Sequence, residues 1–291
     1  MNVYSTTYIT EGSSFVLLLC IFNGFRDANG GGLYLNNELS NLSVSECFFD
    51  GCYSKGNGGG IFSTSGSFSC YKSCFYQCGS YYGSSSFVLS PIIHIGFSSA
   101  IKNYVSGVNM FSNTFYLSGL SNQCKNINNS YNSLAWSSGF GIGKWNNLIL
   151  SFYLSTNNDG KSALHFFYSK NENFIRYGAI LNNSVSVGSI TSDAACFSVY
   201  NFVFHRNPTI LGCIEVGVID LYYCSVDIGF NQSWPIGSTN GSVFGLNNPS
   251  IEAIECLSTW KCYGNALRPT SYIRRQKNSF VILNTYLFIS L

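Results

Sequence analysis

Charge is what this sequence has least of. Only 10% of its 291 residues are charged, against roughly 25% in an ordinary soluble domain. The net charge is +2, and the one basic cluster is Arg274, Arg275 and Lys277. A nucleic-acid groove needs a dense cationic footprint, so no nucleic acid is expected as a partner. Long apolar runs are also missing. The last twelve residues, "FVILNTYLFISL", are apolar, but a membrane helix needs about 20. They read as a final strand or as the start of an anchor cut short, and that missing anchor is the only membrane link expected. Near the N-terminus, "SSFVLLLCIFNGF" has the length of a signal core. It follows Glu11 rather than a basic segment, and its cysteine belongs to a repeat, so it reads as a buried strand.

Motifs for catalysis are equally scarce. "GFGIGKW", Gly139 to Trp145, fails as a phosphate loop: Ser138 stands where the first Gly is needed, and Trp145 follows Lys144. It reads as a tight coil corner. His94, His165 and His205 are isolated in apolar runs. No Gly-x-Ser-x-Gly elbow occurs. Cys70, Cys74 and Cys78 are spaced by four, but a zinc site needs a second ligand pair, and the nearest histidine is the lone His94. Asp27, Asp50, Asp159, Asp193, Asp220 and Asp227 form no column with one another at the repeat spacing. Glu252 and Glu255 lie near the tail. Paired carboxylates or calcium-holding Asp clusters are what a polysaccharide-cleaving β-helix requires. The expectation is therefore no enzyme, no cofactor and no metal, with a β-helix polysaccharide lyase or glycoside hydrolase as the alternative.

What is abundant points to β structure. Hydrophobic residues make up 46% and aromatics 16%, and polarity comes from Ser, Asn and Gly. That is the composition of a turn-rich β chain. The chain also repeats. "CIFNG" begins at Cys20, "CFFDG" at Cys47 and "CFYQC" at Cys74, each 27 residues after the last. Gly30–Gly32 and Gly58–Gly60 follow the first two, with Ser84–Ser86 as a degenerate third copy. Further on, Asn132, Asn157, Asn183, Asn207 and Asn231 recur at turn-like places.

A period near 25 without the leucine pattern of a leucine-rich repeat predicts an all-β fold: a right-handed parallel β-helix of roughly eleven coils of about 25 residues. Equivalent residues of successive coils then stack about 4.8 Å apart. Glycine suits the tight corners, and Asn tolerates left-handed backbone and bonds to its stacked copy. Residues 1–122 carry the Cys/Gly repeat and 123–250 the Asn-centred turns, continuous with the first. Residues 251–291 form a terminal coil or cap and the apolar tail. Stacking also brings Cys20, Cys47 and Cys74 together, and Cys52 onto Cys78. They are either cross-coil disulfides or reduced thiols packed as small hydrophobes.

"CFFDGCYSKGNGGGIF" resembles the Gly-Gly-Ala-Ile repeats of polymorphic outer-membrane proteins. More closely, "GGGIFSTSGSFSCYKSCFYQC", "NINNSYNSLAWSSGFGI" and "ECLSTWKCYG" resemble the uncharacterised surface β-helix proteins of trichomonad parasites. The resemblance spans roughly residues 15 to 265. The Phe-x-x-Asn tetrapeptide of the bacterial proteins stands at Phe244–Asn247, away from the glycine runs, and their C-terminal barrel has no counterpart. The resemblance implies display at a membrane surface and adhesion, and it carries no catalytic residue. Twelve cysteines and five glycosylation sequons, Asn41, Asn128, Asn182, Asn231 and Asn240, fit an extracellular or cell-surface setting. The expected partners are host-cell or extracellular glycans and proteins.

Overall fold

The computed structural model describes residues 14–105, 113–143, 147–167, 173–193, 196–208, 211–213, 218–227, 239–246, 272–276 and 279–283. These residues are all β, in parallel strands stacked as a solenoid. Each coil visits three long faces. Face A begins with Ser14–Leu18, face B with Ile21–Asn23, and face C with the first part of Leu33–Ser45. A short fourth ladder joins B to C through Arg26–Asp27, Tyr53–Ser54, Gly79–Ser80 and Tyr104–Val105.

The coils pair in parallel, and face A keeps one register throughout, while face C shifts register at Asn113/Phe115, Ser137/Phe140 and Gly160/Ser162. On face A, Leu17 lies beside Val44, then Cys70, Ile95, Cys124, Leu150, Ile175, Val199 and Leu221. All of these point inward and are buried. Each coil thus covers the apolar residue of the one before it, which no coil could bury alone. The strand Ser121–Ser130 continues this column across residue 122, so the Cys-rich and Asn-rich segments are one solenoid. About seven turns are closed, fewer than eleven. Face C ends at Leu211–Cys213 among the described residues, while face B reaches Val243–Leu246. At the other end, Ser279–Leu283 runs parallel beside Ser14–Leu18 and pairs antiparallel with Tyr272–Gln276. Phe280–Leu283, the first four residues of the apolar tail, are therefore strand, and 284–291 lie outside the described residues.

The corners explain the residue types. Between faces A and B, one residue per coil adopts a left-handed backbone. The series runs Leu19, Glu46, Lys72, Phe97, Asn126, Phe152, Tyr177 and Asn201, ending at Tyr223, with φ between 48° and 57°. After face B a second series runs Gly24, Gly51, Gln77, Lys102, Tyr131, Asn157, Asn182 and Arg206. Such backbone costs a non-glycine residue roughly 1–2 kcal/mol. Cross-coil hydrogen bonds offset it, as from the Glu46 amide to the Tyr71 carbonyl (2.9 Å) and the Lys72 amide to that of Gly96 (2.9 Å).

From Gly51 onward, the residue after each second-corner position points into the core. These are Cys52, Cys78, Asn103, Asn132, Asn158, Asn183 and Asn207, all buried. From Asn103 onward they form a continuous amide ladder. Each Oδ1 accepts the backbone N–H and the Nδ2–H of the preceding copy: Asn158 Oδ1 lies 2.9 Å from the Asn132 amide nitrogen and 3.0 Å from its Nδ2. Asn183 repeats this for Asn158, at 2.9 Å for both. The sequence period is confirmed at Asn132, Asn183 and Asn207. Asn157 is corrected: it is the exposed corner residue, and its neighbour Asn158 is the ladder member. Asn103 extends the ladder one coil earlier, and Asn231 lies outside the described residues.

The glycine triplets stack as expected, with one shift. The Gly31 amide bonds to the Gly58 carbonyl (3.0 Å) and the Gly59 amide to that of Gly83 (3.2 Å). The third copy is therefore Gly83–Ser84–Ser85, one residue earlier than Ser84–Ser86, with Gly83 at φ 60°. "GFGIG" is not a corner. It lies in the strand Ser137–Gly143, because Phe140 and Ile142 alternate into the core. Gly141 is needed there because the Asn113 side chain occupies the place of its Cβ. On the outside of face C, Tyr34, Phe62, Phe87 and Tyr116 stack as successive rungs, with centroids 5.0, 5.6 and 4.7 Å apart.

Candidate functional site

Cys20, Cys47, Cys52 and Cys78 are corner residues rather than a knot. Cys20 and Cys47 stack one coil apart, as do Cys52 and Cys78. All four are free thiols. Their Sγ atoms point at carbonyls two residues back: Cys47 at Ser45 (3.2 Å) and Cys78 at Tyr76 (3.6 Å). Ser73 and Ser98 make the same bond to Tyr71 (3.1 Å) and Gly96 (3.0 Å). A left-handed corner turns a carbonyl inward, and a small donor must meet it. Cys74 is the correction. The coil from Cys47 is one residue shorter than the cysteine spacing implied, so Ser73 follows Cys47 and Cys74 stacks on Phe48. Cys74 is disulfide-bonded. Cys70, Cys74 and Cys78 share no face, because the left-handed Lys72 and Gln77 stand between them. Among the described residues, no cluster of three metal-ligating side chains occurs.

Burial also sets thiol chemistry. Desolvation pushes Cys70 and Cys224 up to about 11, and it raises Cys47, Cys78 and Cys124 as well. Thiols are then protonated and unreactive at neutral pH. Cys196 is the exposed one among the eight free cysteines described. A maleimide at pH 7 is expected to modify Cys196 in the folded protein and the seven buried thiols only in denaturant. Peptide mapping by mass spectrometry reads this out, and fast native labelling of Cys70 or Cys124 would contradict it.

The sequence missed two His–Asp contacts between coils. His165 Nε2 lies 3.2 Å from Asp193 Oδ2, and His205 Nδ1 lies 3.3 Å from Asp227 Oδ2. The signal is the spacing, since each acid follows its histidine by about one coil. His165 Nδ1 also lies 2.6 Å from Thr191 Oγ1. A hydroxyl, an imidazole and a carboxylate in series resemble a hydrolase relay. This one is sealed. His165 and Thr191 are 0% and 1% exposed, the Thr191 hydroxyl donates to the Leu164 carbonyl (3.3 Å), and the Trp136 and Phe167 rings pack on the imidazole. A nucleophile without solvent access has no substrate, so the group is a buried polar clamp.

An open groove lies on the outside of face A, with a volume of about 300 Å³. Its shape follows from one glycine. The outward column reads Tyr71, Gly96, Lys125, Ser151, Arg176, Tyr200. Gly96 leaves a notch one rung wide, and a Cβ there would meet the Tyr71 ring at 3.0 Å. Tyr71, 42% exposed, and the corner residue Phe97 form an edge-to-face wall, with centroids 5.2 Å apart. His94 and Gln123 are exposed in the adjacent column, beside the half-buried Ser69 and Ser151. Ile149 supplies an exposed apolar rim. No carboxylate is among the groove's lining residues.

The sequons are distributed unevenly. Asn41, Asn182 and Asn240 are exposed. Asn128 is half-buried with Oδ1 sealed from solvent, and Asn231 lies outside the described residues, as do Glu252 and Glu255. Among the described residues no helix is long and apolar enough to cross a membrane. Comparison with family models, with curated proteins and with solved structures finds no match.

Proposed function

We propose that this chain is a non-catalytic binding scaffold, displayed at a cell surface or secreted, that uses face A for adhesion. One observation carries the reading. The groove around Gly96 combines exposed aromatic walls with side-chain donors and acceptors, the composition of a recognition site, and no carboxylate lines it. The rigid ladder beneath holds these groups at fixed spacing, which limits the entropy lost on binding. Exposed Asn41, Asn182 and Asn240 are compatible with glycosylation outside the cytoplasm.

The test uses the full chain, fluorescently labelled, on cultured epithelial cells. Tyr71→Ala combined with Ile149→Ser is expected to weaken cell binding about tenfold or more, with the circular dichroism spectrum and melting point unchanged. Binding insensitive to this variant, or no binding at all, overturns the reading. Product release from pectic or glycosaminoglycan polymers overturns its non-catalytic part.

A further inference from the structure

Resting on the reading that face A is the binding face, its charge and surface chemistry narrow the ligand class. Cations recur along the face. Lys125 and Arg176 stand in the same outward column, two rungs apart, or about 10 Å. Neither has a carboxylate within ion-pair distance among the described residues; both instead lie against aromatic rings. Lys125 Nζ is 5.6 Å from the Phe152 ring centre, and the Arg176 guanidinium is 5.0 and 5.8 Å from those of Phe174 and Tyr200. Lys72, one corner away, is 3.6 Å from Glu46. The other carboxylate of this face is Asp220, beyond Arg176 in the His94 column. Among the described residues, the stretch between Tyr71 and Arg176 is therefore cationic, aromatic and free of acidic side chains.

The remaining lining groups say what else the ligand must offer. Ser69, His94, Gln123 and Ser151 supply hydroxyl, imidazole and amide groups in two parallel columns. These suit a ligand rich in hydroxyls. Backbone groups are not on offer: both edges of every strand here are already paired in the ladder, so a peptide cannot add as a strand. The exposed ring of Tyr71 has an electron-rich face that attracts the C–H side of a ring lying on it. Arg176 presents a planar fork that matches a carboxylate or sulfate.

We infer that the groove from Tyr71 to Arg176 binds an extended acidic oligosaccharide, with one sugar ring on Tyr71 in the Gly96 notch and its anionic groups on Lys125 and Arg176. Glycan carboxylates and sulfates share this chemistry, and the experiment separates them. Isothermal titration of the full chain would use three probes: a galacturonate hexamer, its methyl ester, and a sulfated hexasaccharide.

Binding is expected for at least one acidic probe, and the better of the two identifies the anionic group. It should weaken about tenfold or more for the neutral ester, and by a similar factor for Lys125→Ala with Arg176→Ala. It should also weaken on raising salt from 0.05 to 0.5 M, as screening of exposed charge requires. Equal binding of acid and ester, or a double variant that binds as well as the original, overturns the acidic-ligand inference. Full competition by poly-glutamate also overturns it, by making the partner an acidic polypeptide. Cell binding that depends on Tyr71 without binding of any glycan probe overturns the glycan class and leaves the face A reading standing. Cell binding indifferent to Tyr71 sinks that reading instead.

Discussion

Asn158→Ala is expected to remove about 4 kcal/mol of stability, from two buried backbone groups orphaned at roughly 1–3 kcal/mol each and a broken amide ladder. Asn158 donates to the Asn129 carbonyl (2.9 Å), to Ser155 Oγ (2.9 Å) and to Asn183 Oδ1 (2.9 Å). Its own Oδ1 accepts the Asn132 backbone N–H (2.9 Å). Alanine leaves that N–H and the Asn129 carbonyl buried and without these bonds. A loss of this size is a large part of the roughly 5–15 kcal/mol that holds a typical domain folded. Its neighbour provides the control. Asn157 is exposed at a left-handed corner with φ 53°, so Asn157→Ala should cost only about 1 kcal/mol of backbone strain. Urea midpoints of the two variants compare them directly. Equal midpoints would show that the interior ladder contributes little beyond packing.

Gly59→Ala should be comparably severe for a different reason. A Cβ at residue 59 would lie 2.6 Å from the Gly79 carbonyl oxygen and closer still to that of Ser84. Both obstacles are backbone of the next coil. No rotamer change relieves the overlap, so the coils must separate locally. The expected cost is about 3 kcal/mol, visible as a lower melting temperature or loss of soluble protein. Gly24 is the matched control. It also sits at a corner, φ 68°, but nothing lies within 4 Å of its Cβ position. Gly24→Ala therefore pays only the left-handed penalty of about 1 kcal/mol. If the two alanine variants melt together, close coil approach is not why the triplet is glycine.

The architecture was readable because a solenoid writes its geometry into sequence. A coil of fixed length repeats its corners, and corners restrict residue type. Gly30–Gly32 and Gly58–Gly60 mark one corner, and Asn132, Asn183 and Asn207 mark the next. Errors came wherever two neighbouring residues both satisfied the pattern. Asn157 and Asn158 are both asparagine, yet one faces solvent and the other the core. The cysteine spacing places Cys74 on Cys47, whereas Ser73 occupies that place, because a thiol and a hydroxyl both meet the inward carbonyl of a left-handed corner.

The face A groove was less legible. Tyr71, Gly96 and Lys125 are adjacent only through coil register, and nothing local in "SCYKS" or "HIGFS" announces a notch. The His165–Asp193 contact was hidden in the same way. Its members are 28 residues apart and meet because neighbouring coils lie one strand spacing from each other.

The sequence by itself determined that this chain is a β-helix, roughly how long its coil is, and which residue types turn its corners. Left-handed backbone and close coil contact admit few side chains, so those demands show through any one sequence. Only the tertiary structure decided which residue of each pair points inward and which side chains meet across coils. Side chains alternate faces with a period of two. A one-residue uncertainty in coil length therefore exchanges core for surface, and with it the place where a ligand would bind.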